Sequence, residues 1–365
     1  MLPRNKHQAA TLARHLARAL GARAQVTQAP YSPSRDAEDR TAVLLTTPAG
    51  RTSTLVPIPA GAGYPQDVRT ALLMLDFVTP GDVPVVVARH LSPGARTLLD
   101  DRGLSWADEE GNLRVSAGPV VVAVDGPPPP VTERRAPTEM SWADASGAVA
   151  ELILERATAT DLHTEIEAVT SIADRLGISA ASVSRTLQRF DAIGWTRRSG
   201  PGRGPQVVRH LADPSAMLSS WAAWSTRRTR RTTVAHALVT DIEGWLRRLA
   251  TAWPAGCWAV TGEAAAQIRA PHLSRVSVVE LYIEPDLYDD DLDSLLARAE
   301  LTPVPTGGRV RLLRADRYLT TLIAADPGAS ELPLVPDIRL YADLLSGGVR
   351  GDEAASALRD RRIGF

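Results

Sequence analysis

The chain has 365 residues, a net charge of −1, 44% hydrophobic residues and 23% charged residues. This length and balance are typical of a globular protein with two or three domains, and they exclude a polycation that binds nucleic acid over its whole surface. The single cysteine, Cys257, excludes an internal disulfide framework and a cysteine-based zinc site, and we find neither a signal peptide nor an apolar run that could span a bilayer, which predicts a cytoplasmic protein without membrane contact.

Helix and strand patterns alternate through residues 1–125 and predict an α/β domain. Leu12, Leu16 and Leu20 share one face of an expected helix from about His7 to Leu20. The elements expected after it are strands at Thr41–Thr47 and Thr54–Ile58, a helix at Pro65–Phe77, a strand at Val83–Ala88, a helix capped by Ser92, and a strand pair at 113–115 and 119–124. This order favours a restriction-endonuclease-like core.

Nuclease chemistry on such a core needs strand carboxylates and a nearby lysine to hold a divalent cation. The predicted strands at 41–47, 54–58 and 83–88 contain no Asp, Glu or Lys. We therefore predict a degenerate nuclease-like domain without a metal site, a cofactor or catalytic residues. The proline-rich segment 126–137 follows, and it predicts a semi-rigid linker between domains.

Residues 138–212 carry the pattern of a helix-turn-helix, preceded by a helix expected at Trp142–Arg156. Two helices are predicted within Thr170–Phe190. Gly177 can adopt the left-handed conformation that ends the first helix, and Ser179 can cap the second. The apolar side chains of the second helix recur at spacings of four and three residues and are expected to point inward. They are Val183, Leu187 and Phe190.

A basic hairpin is expected directly after the second helix, with strands at 193–198 and 206–210 around the turn-rich segment 199–205. Its arginines, Arg197, Arg198, Arg203 and Arg209, have no acidic residue among them. Together the two helices and the hairpin predict a winged helix-turn-helix. The alternative is an ordinary helical hairpin followed by an exposed loop.

In the winged interpretation the second helix enters the major groove of double-stranded DNA. Its exposed residues are small or able to form hydrogen bonds, so the helix can approach the bases closely. Ser184, Arg185 and Gln188 are the candidates for base edges, because Arg suits guanine and Gln suits adenine. The remaining candidate DNA-binding residues are Ala180 and Ala181 on the helix, Ser179 and Arg189 for phosphates, and Arg197, Arg198 and Arg203 for the backbone or the minor groove.

Residues 213–252 are predicted to be connecting helices, at Pro214–Ser225 and from about Val234 to Ala252. Between them lies the arginine-rich segment 226–232. Such a segment is either a solvated surface or a phosphate-binding patch continuous with the hairpin.

Residues 253–365 predict a second α/β domain. Strands are expected at Cys257–Thr261, Val276–Glu284, Arg309–Leu313 and Thr320–Ile323, and helices from Glu263, at Asp289–Leu301, at Asp337–Leu345 and at Asp352–Arg361. Gly262 followed by Glu280 and Glu284 is similar to the turn and strand acids of nucleotidyltransferases. The two acids are not at alternate positions, however, so we expect a nucleotidyltransferase-like fold that is not an enzyme, with these acids solvated or facing a partner.

Several blocks of this order resemble one family. They are Val87–Arg96, Asp108–Asn112, Thr261–Ala266, Arg309–Leu313 and Leu340–Leu345. The chain resembles the long actinobacterial members of the AbiEi-like antitoxins of type IV toxin–antitoxin systems. The resemblance implies a winged-helix DNA-binding protein that represses its own promoter, and a nucleotidyltransferase-like toxin as partner in two-gene systems.

These observations predict a sequence-specific transcriptional regulator, more specifically a repressor, that binds an inverted repeat as a homodimer. The flanking α/β domains would then serve dimerisation or the sensing of an effector or partner. Two other hypotheses remain open. The protein could be an antitoxin that acts mainly through contacts with a toxin, or a nucleic-acid-processing enzyme.

Overall fold

The computed structural model describes residues 3–32, 40–118, 120–125, 140–158, 165–199, 208–239, 241–271, 275–319 and 332–365. The chain divides into two compact units, Met1–Arg134 with Gly364–Phe365, and Arg135–Ile363. The described strands form sheets of seven, five and two strands, which makes the protein a mixed α/β protein. The predicted linker 126–137, Arg203 and the predicted strand Thr320–Ile323 lie outside the described residues.

The first unit is built on the seven-stranded sheet, whose strands lie side by side in chain order. Neighbouring strands are antiparallel except β3, β4 and β5, which run parallel because a helix connects each to the next. The strands are β1 Gln25–Tyr31, β2 Arg40–Thr46, β3 Thr52–Pro59, β4 Val83–Ala88, β5 Ser105–Asp108, β6 Leu113–Ala117 and β7 Val120–Val124. The helices are α1 Pro3–Leu20, α2 Pro65–Leu72 and α3 Pro93–Asp100.

Alternate residues of the central strand β4 serve two different cores, because successive side chains of a strand point to opposite faces. Val85 and Val87 pack with Leu12 of α1. Val86 packs on the other face with Leu99 of α3. Helices therefore cover the sheet on both faces, which explains why β4 is an unbroken apolar run rather than an alternating one.

Two strands of this sheet, β1 and β5, were not expected from the sequence. Strand β1 lies at the edge, pairs only with β2 and is mostly exposed, so it lacks an apolar alternation. Strand β5 has only four residues, all buried, and is too short to show a period. It ends in the buried carboxylate of Asp108, whereas the three strands predicted at 41–47, 54–58 and 83–88 contain no acid.

The second unit contains the five-stranded sheet, with strand order β11-β12-β14-β10-β13. Its strands are β10 Thr232–His236, β11 Trp258–Thr261, β12 Val279–Ile283, β13 Thr302–Pro303 and β14 Val310–Arg314. Its helices are α8 Ile242–Ala252, α9 Gly262–Arg269, α10 Pro285–Asp290, α11 Leu292–Arg298, α12 Asp337–Leu345 and α13 Val349–Leu358, followed by a π-helical turn at Arg359–Ile363.

The helix predicted from Val234 to Ala252 is wrong in its first half. Residues 232–236 form β10, which pairs with β14 inside the sheet. The helix α8 begins only after Asp241, whose carboxylate accepts a hydrogen bond from the amide of Gly244 at 3.1 Å. The β-branched residues at the start of the segment fit a strand, and the pairing partner far along the chain decides the outcome.

The second unit also contains the helix-turn-helix segment. Its helices are α4 Asp144–Thr158, α5 Val169–Leu176, α6 Ala180–Ile193 and α7 Pro214–Ser225, and its hairpin strands are β8 Thr196–Ser199 and β9 Val208–Leu211. Buried charges connect α4 to α12. Arg339 forms a two-pronged ion pair with Glu151, at 2.8 and 2.5 Å. Glu155 accepts hydrogen bonds from the amides of Asp337 and Ile338, at the start of α12.

Candidate nucleic-acid interface

The turn between α5 and α6 has the conformation that its sequence predicts. Gly177 adopts the left-handed conformation with φ 61° and ψ 38°. The amide of Ile178 then bonds the carbonyl of Ala173 at 3.1 Å, which ends α5. Ser179 caps α6, because its hydroxyl accepts a hydrogen bond from the amide of Ser182 at 3.2 Å. The predicted glycine and serine caps are therefore confirmed.

An aromatic cluster fixes α6 against the helices around it. Phe190 is fully buried on the inner face of α6, as predicted. Its ring lies 6.0 Å from Trp142 and 5.6 Å from Trp195, and Trp142 also stacks on Trp224 of α7 at 5.8 Å. Rings at these separations attract each other beyond their apolar burial. The aromatic cluster therefore holds the inner face of α6 in place, and the outer face points away from the cluster.

The described residues on either side of 200–207 form two paired strands rather than an irregular loop. Its two strands pair antiparallel, from Thr196 opposite Leu211 to Ser199 opposite Val208. The amide of Ile166 donates a hydrogen bond to the carbonyl of Arg209 at 2.7 Å, which adds the segment before α5 to the edge of the hairpin.

The outer face of α6 contains the residues predicted to contact bases. Arg185 and Gln188 are exposed and Ser184 is half-buried. Gln188 lies three residues after Arg185 and four after Ser184, so it shares one side of the helix with both. The side-chain amide nitrogen of Gln188 lies 3.4 Å from the Ser184 hydroxyl. The other exposed candidates are Ser179, Ala180, Ala181 and Arg189 on α6 and its cap, and Arg197 and Arg198 on β8.

Asp191 of α6 changes the expected charge of the hairpin. Its carboxylate forms two hydrogen bonds with Arg209, each 2.9 Å long, and an ion pair with Arg198 at 3.1 Å. Partial burial opposes ionisation, but the bonds from Arg209 and Thr196 and the charge of Arg198 lower the pKa of Asp191. The side chain of Arg209 is only 14% exposed. The hairpin sequence itself contains no acidic residue, but Asp191 of α6 pairs with both Arg198 and Arg209.

The arginine-rich segment 226–232 is mostly neutralised by the second unit itself. Arg228 contacts Asp144 at 3.0 Å and Asp316 at 3.2 Å. Arg230 is paired with Asp343 at 3.0 Å, and Arg231 with Asp289 at 2.6 Å. The expectation of a solvated surface is wrong for the half-buried Arg228 and Arg230, whereas the alternative of a phosphate-binding patch stays a prediction.

In the first unit, His90, Asp108 and Glu110 place potential ligand atoms within 4.8 Å of one another. Asp108 already accepts hydrogen bonds from Asn112 at 2.9 Å and from Arg96 at 3.0 Å. His90 bonds Glu110 at 2.9 Å. These contacts hold together the turn after β5, so the cluster has a structural explanation within the described residues.

The two glutamates noted in the C-terminal sheet also have partners. Glu280 lies in β12 and bonds Arg311 of β14 at 3.1 Å. Glu284 lies beyond the strand and accepts a hydrogen bond from the amide of Leu287 at 3.1 Å, which caps α10. The two acids therefore do not lie on the same strand, because β12 ends at Ile283.

The C-terminal part of the chain matches the model of a known protein family. Residues 210–364 match the model of a family described as "Transcriptional regulator, AbiEi antitoxin, Type IV TA system". These residues are therefore similar to the AbiEi antitoxin family. The match begins in β9 and runs through the five-stranded sheet, so it confirms the predicted resemblance there and does not include α5 or α6. No curated protein and no solved structure matches the chain.

The described helices include none that is both long enough and apolar enough to cross a membrane.

Proposed function

We propose that the protein is a sequence-specific DNA-binding transcriptional regulator, more specifically a repressor, and that α4–α7 with the hairpin form its winged helix-turn-helix. The observation that carries the proposal is the outer face of α6. There Arg185 and Gln188 are exposed on a helix whose inner face is fixed by an aromatic cluster. The family of residues 210–364 is described as transcriptional regulators, which supports the same role.

In this proposal α6 lies in the major groove. Arg185 donates hydrogen bonds to guanine and Gln188 binds adenine, while Ser184 adjusts the position of Gln188. Arg197 and Arg198 at the hairpin contact phosphates, which positions the protein without specifying sequence. Arg209 acts indirectly, because its bond to Asp191 holds β9 against the end of α6.

Titration of the purified protein with DNA from its own upstream region tests the proposal. We expect binding that weakens steeply with salt, because phosphate contacts release counterions. We expect a footprint on that DNA, and lower expression of a reporter under its control. Binding that is equally weak for upstream and unrelated DNA at every salt concentration would reject the proposal.

A second function, neutralisation of a nucleotidyltransferase-like toxin, is favoured by the extent of the family match, which includes the five-stranded sheet but not the proposed reader helix α6. Co-expression with a neighbouring toxin gene tests this function. An Arg185→Ala chain should still rescue growth if neutralisation depends on the C-terminal sheet. Loss of rescue in that variant, with the protein folded, would tie neutralisation to DNA binding instead.

We further infer that the protein is not an enzyme. The support is the use of Glu280 and Glu284 in internal contacts, with Arg311 and with the start of α10. Incubation with nucleotides, RNA or DNA in the presence of Mg²⁺ or Mn²⁺ should give no turnover. Turnover that is abolished by Glu280→Gln would reject this inference.

A further inference from the structure

A polar cavity of about 310 Å³ opens over the five-stranded sheet. Its floor is one face of the sheet. Glu280 and Arg311 are direct partners across β12 and β14, and Thr232 is opposite Leu313 across β10 and β14. Residues opposite each other on neighbouring strands project to the same side. The walls come from the segment after α7 and from the end of α12, through Thr226, Arg228, Arg230, Asp343 and Ser346.

Arg311, on the floor of the cavity, has more N–H donors than the hydrogen bond to Glu280 uses. A guanidinium group carries five N–H donors. Among the contacts of the described residues, Arg311 donates one hydrogen bond, to Glu280, and its side chain is 49% exposed. Burial raises the pKa of Glu280, although Arg311 opposes this shift, so the carboxyl group repels an anion less than an exposed one would.

The wall arginines are held in place before any ligand arrives. Arg228 lies between Asp144 and Asp316 and over the ring of Trp224 at 4.8 Å. Arg230 is held by Asp343. Donors that are already fixed bind a ligand with a smaller loss of conformational entropy.

We propose that this cavity binds a small phosphorylated molecule that also carries hydroxyl or amino groups, of nucleoside monophosphate size or smaller. The forked donors of Arg311 and Arg228 match the geometry of phosphate oxygens. Glu280 and the hydroxyl of Thr232 are suited to the hydroxyl or amino groups. The volume lies at the small end of the range of about 300–1,000 Å³ that is usual for small-molecule sites, which favours a compact ligand.

Arg228 also connects the cavity to the helix-turn-helix segment, because its partner Asp144 is the first residue of α4. A bound phosphate competes with Asp144 for the Arg228 guanidinium. We therefore expect the ligand to change DNA affinity several-fold, within the range that coupled sites usually show. This consequence rests on the proposed function, whereas ligand binding itself does not.

Isothermal titration of the full chain, without DNA, tests the site with four probes: AMP, ribose 5-phosphate, inorganic phosphate and adenosine. We expect AMP or ribose 5-phosphate to bind and adenosine not to bind. Arg311→Gln should weaken binding at least about tenfold, because a charge-assisted bidentate contact is lost. Thr232→Glu, which adds a negative charge to the floor, should also weaken it. Arg309→Gln is the matched control, since Arg309 is exposed and its side chain bonds the carbonyls of Val276 and Ser277.

The pattern across probes decides the source of the phosphate. Preference for AMP indicates a nucleotide, preference for ribose 5-phosphate a sugar phosphate, and equal binding of inorganic phosphate a free anion. Absence of binding at millimolar concentrations of every probe would overturn the proposal. Equal binding of AMP by the wild type and by both floor variants, folded as judged by circular dichroism, would overturn it as well. A protein that binds upstream DNA and none of the probes loses this inference and keeps the proposed function.

Discussion

Arg185 and Arg197 are both exposed arginines of the proposed interface, and their different places on it predict different defects. Arg185→Ala should cost about 1–3 kcal/mol of binding free energy and relax discrimination at one base pair, because a base contact is lost. Arg197→Ala should weaken binding to all sequences and reduce the salt slope by about one, because a phosphate contact is lost. The sequence predicts the second behaviour for Arg203 too.

Fluorescence anisotropy with the upstream site and its single-base variants, at several salt concentrations, separates these two defects. Arg247→Ala on α8 is a suitable control, since it removes an exposed arginine that pairs with Glu243 outside the interface. If Arg185→Ala and Arg197→Ala lower affinity for every sequence equally, the assignment of Arg185 to a base edge is wrong.

Glu155 predicts a pH dependence of stability. Burial is the main cause that raises its pKa to about 7, against the opposing effect of the amides of Ile338 and Asp337. Between the ordinary pKa of a glutamate and this value, the folded chain holds a proton that the unfolded chain has lost. The free energy of unfolding should therefore fall as pH rises through this interval, by at most about 1.4 kcal/mol per pH unit.

Glu155→Gln should remove this component, since glutamine still accepts hydrogen bonds but does not ionise. Urea unfolding followed by tryptophan fluorescence measures this pH dependence of the free energy of unfolding, because seven of the eight tryptophans lie in the second unit. Glu243→Gln at an exposed position is the control and should keep the wild-type slope. A slope in Glu155→Gln identical to that of the wild type would contradict the assignment.

At the scale of elements, Asp191 joins α6 to both strands of the hairpin through Thr196, Arg198 and Arg209. Asp191→Asn should destabilise the second unit by about 1.5–3 kcal/mol, because hydrogen bonds to charged groups are lost. Since the pKa of Asp191 is lowered in the folded state, its contribution is present at neutral pH and is lost as pH falls.

Hydrogen exchange of the hairpin amides, compared with those of α8, measures where this destabilisation occurs. We expect faster exchange at the hairpin first, because Asp191 is its attachment to α6. Asp174→Asn on the exposed side of α5 should change stability by no more than about 0.5 kcal/mol. Equal effects of the two substitutions would show that Asp191 does not hold the hairpin.

The local features of these elements could be predicted from the sequence. Gly177, Ser179 and the inward spacing of Val183 and Phe190 depend on neighbours within one or two turns, so caps and helix faces follow from short patterns. The strand at Thr232–His236 could not, since its partner β14 lies about eighty residues later.

The same limit applied to the arginines. The sequence indicates that Arg228, Arg230 and Arg209 are basic, but their partners come from other elements. Arg228 pairs with Asp144 of α4, Arg230 pairs with Asp343 of α12, and Arg209 pairs with Asp191 of α6. Which arginines remain available to a ligand therefore depends on tertiary contacts. For this reason the proposed DNA interface centres on α6 and Arg197.

At the scale of the whole molecule, a net charge of −1 limits DNA affinity to a local surface, and one winged segment reads few bases. We therefore expect two chains on an inverted repeat with half-sites about 34–36 Å apart, one helical turn, or a multiple of it. Native mass spectrometry of the complex should give two chains per operator, and insertion of half a helical turn between half-sites should abolish cooperative binding. One chain per operator would contradict this expectation.

The seven-stranded sheet of the first unit and the helices of the second unit differ in the distance along the chain that their contacts span. The seven strands of the first sheet lie in chain order, so each strand can pair as soon as its neighbour has been synthesised. In the second unit, Arg339 of α12 binds Glu151 of α4 across 188 residues. Contacts so distant form late, because the loop between them must close first. During synthesis the seven-stranded sheet should therefore form early, whereas α4, which packs against the proposed reader helix α6, waits for its partner at the C-terminal end of the chain. A truncated nascent chain would then be unable to occupy the operator, which restricts regulation to completed molecules.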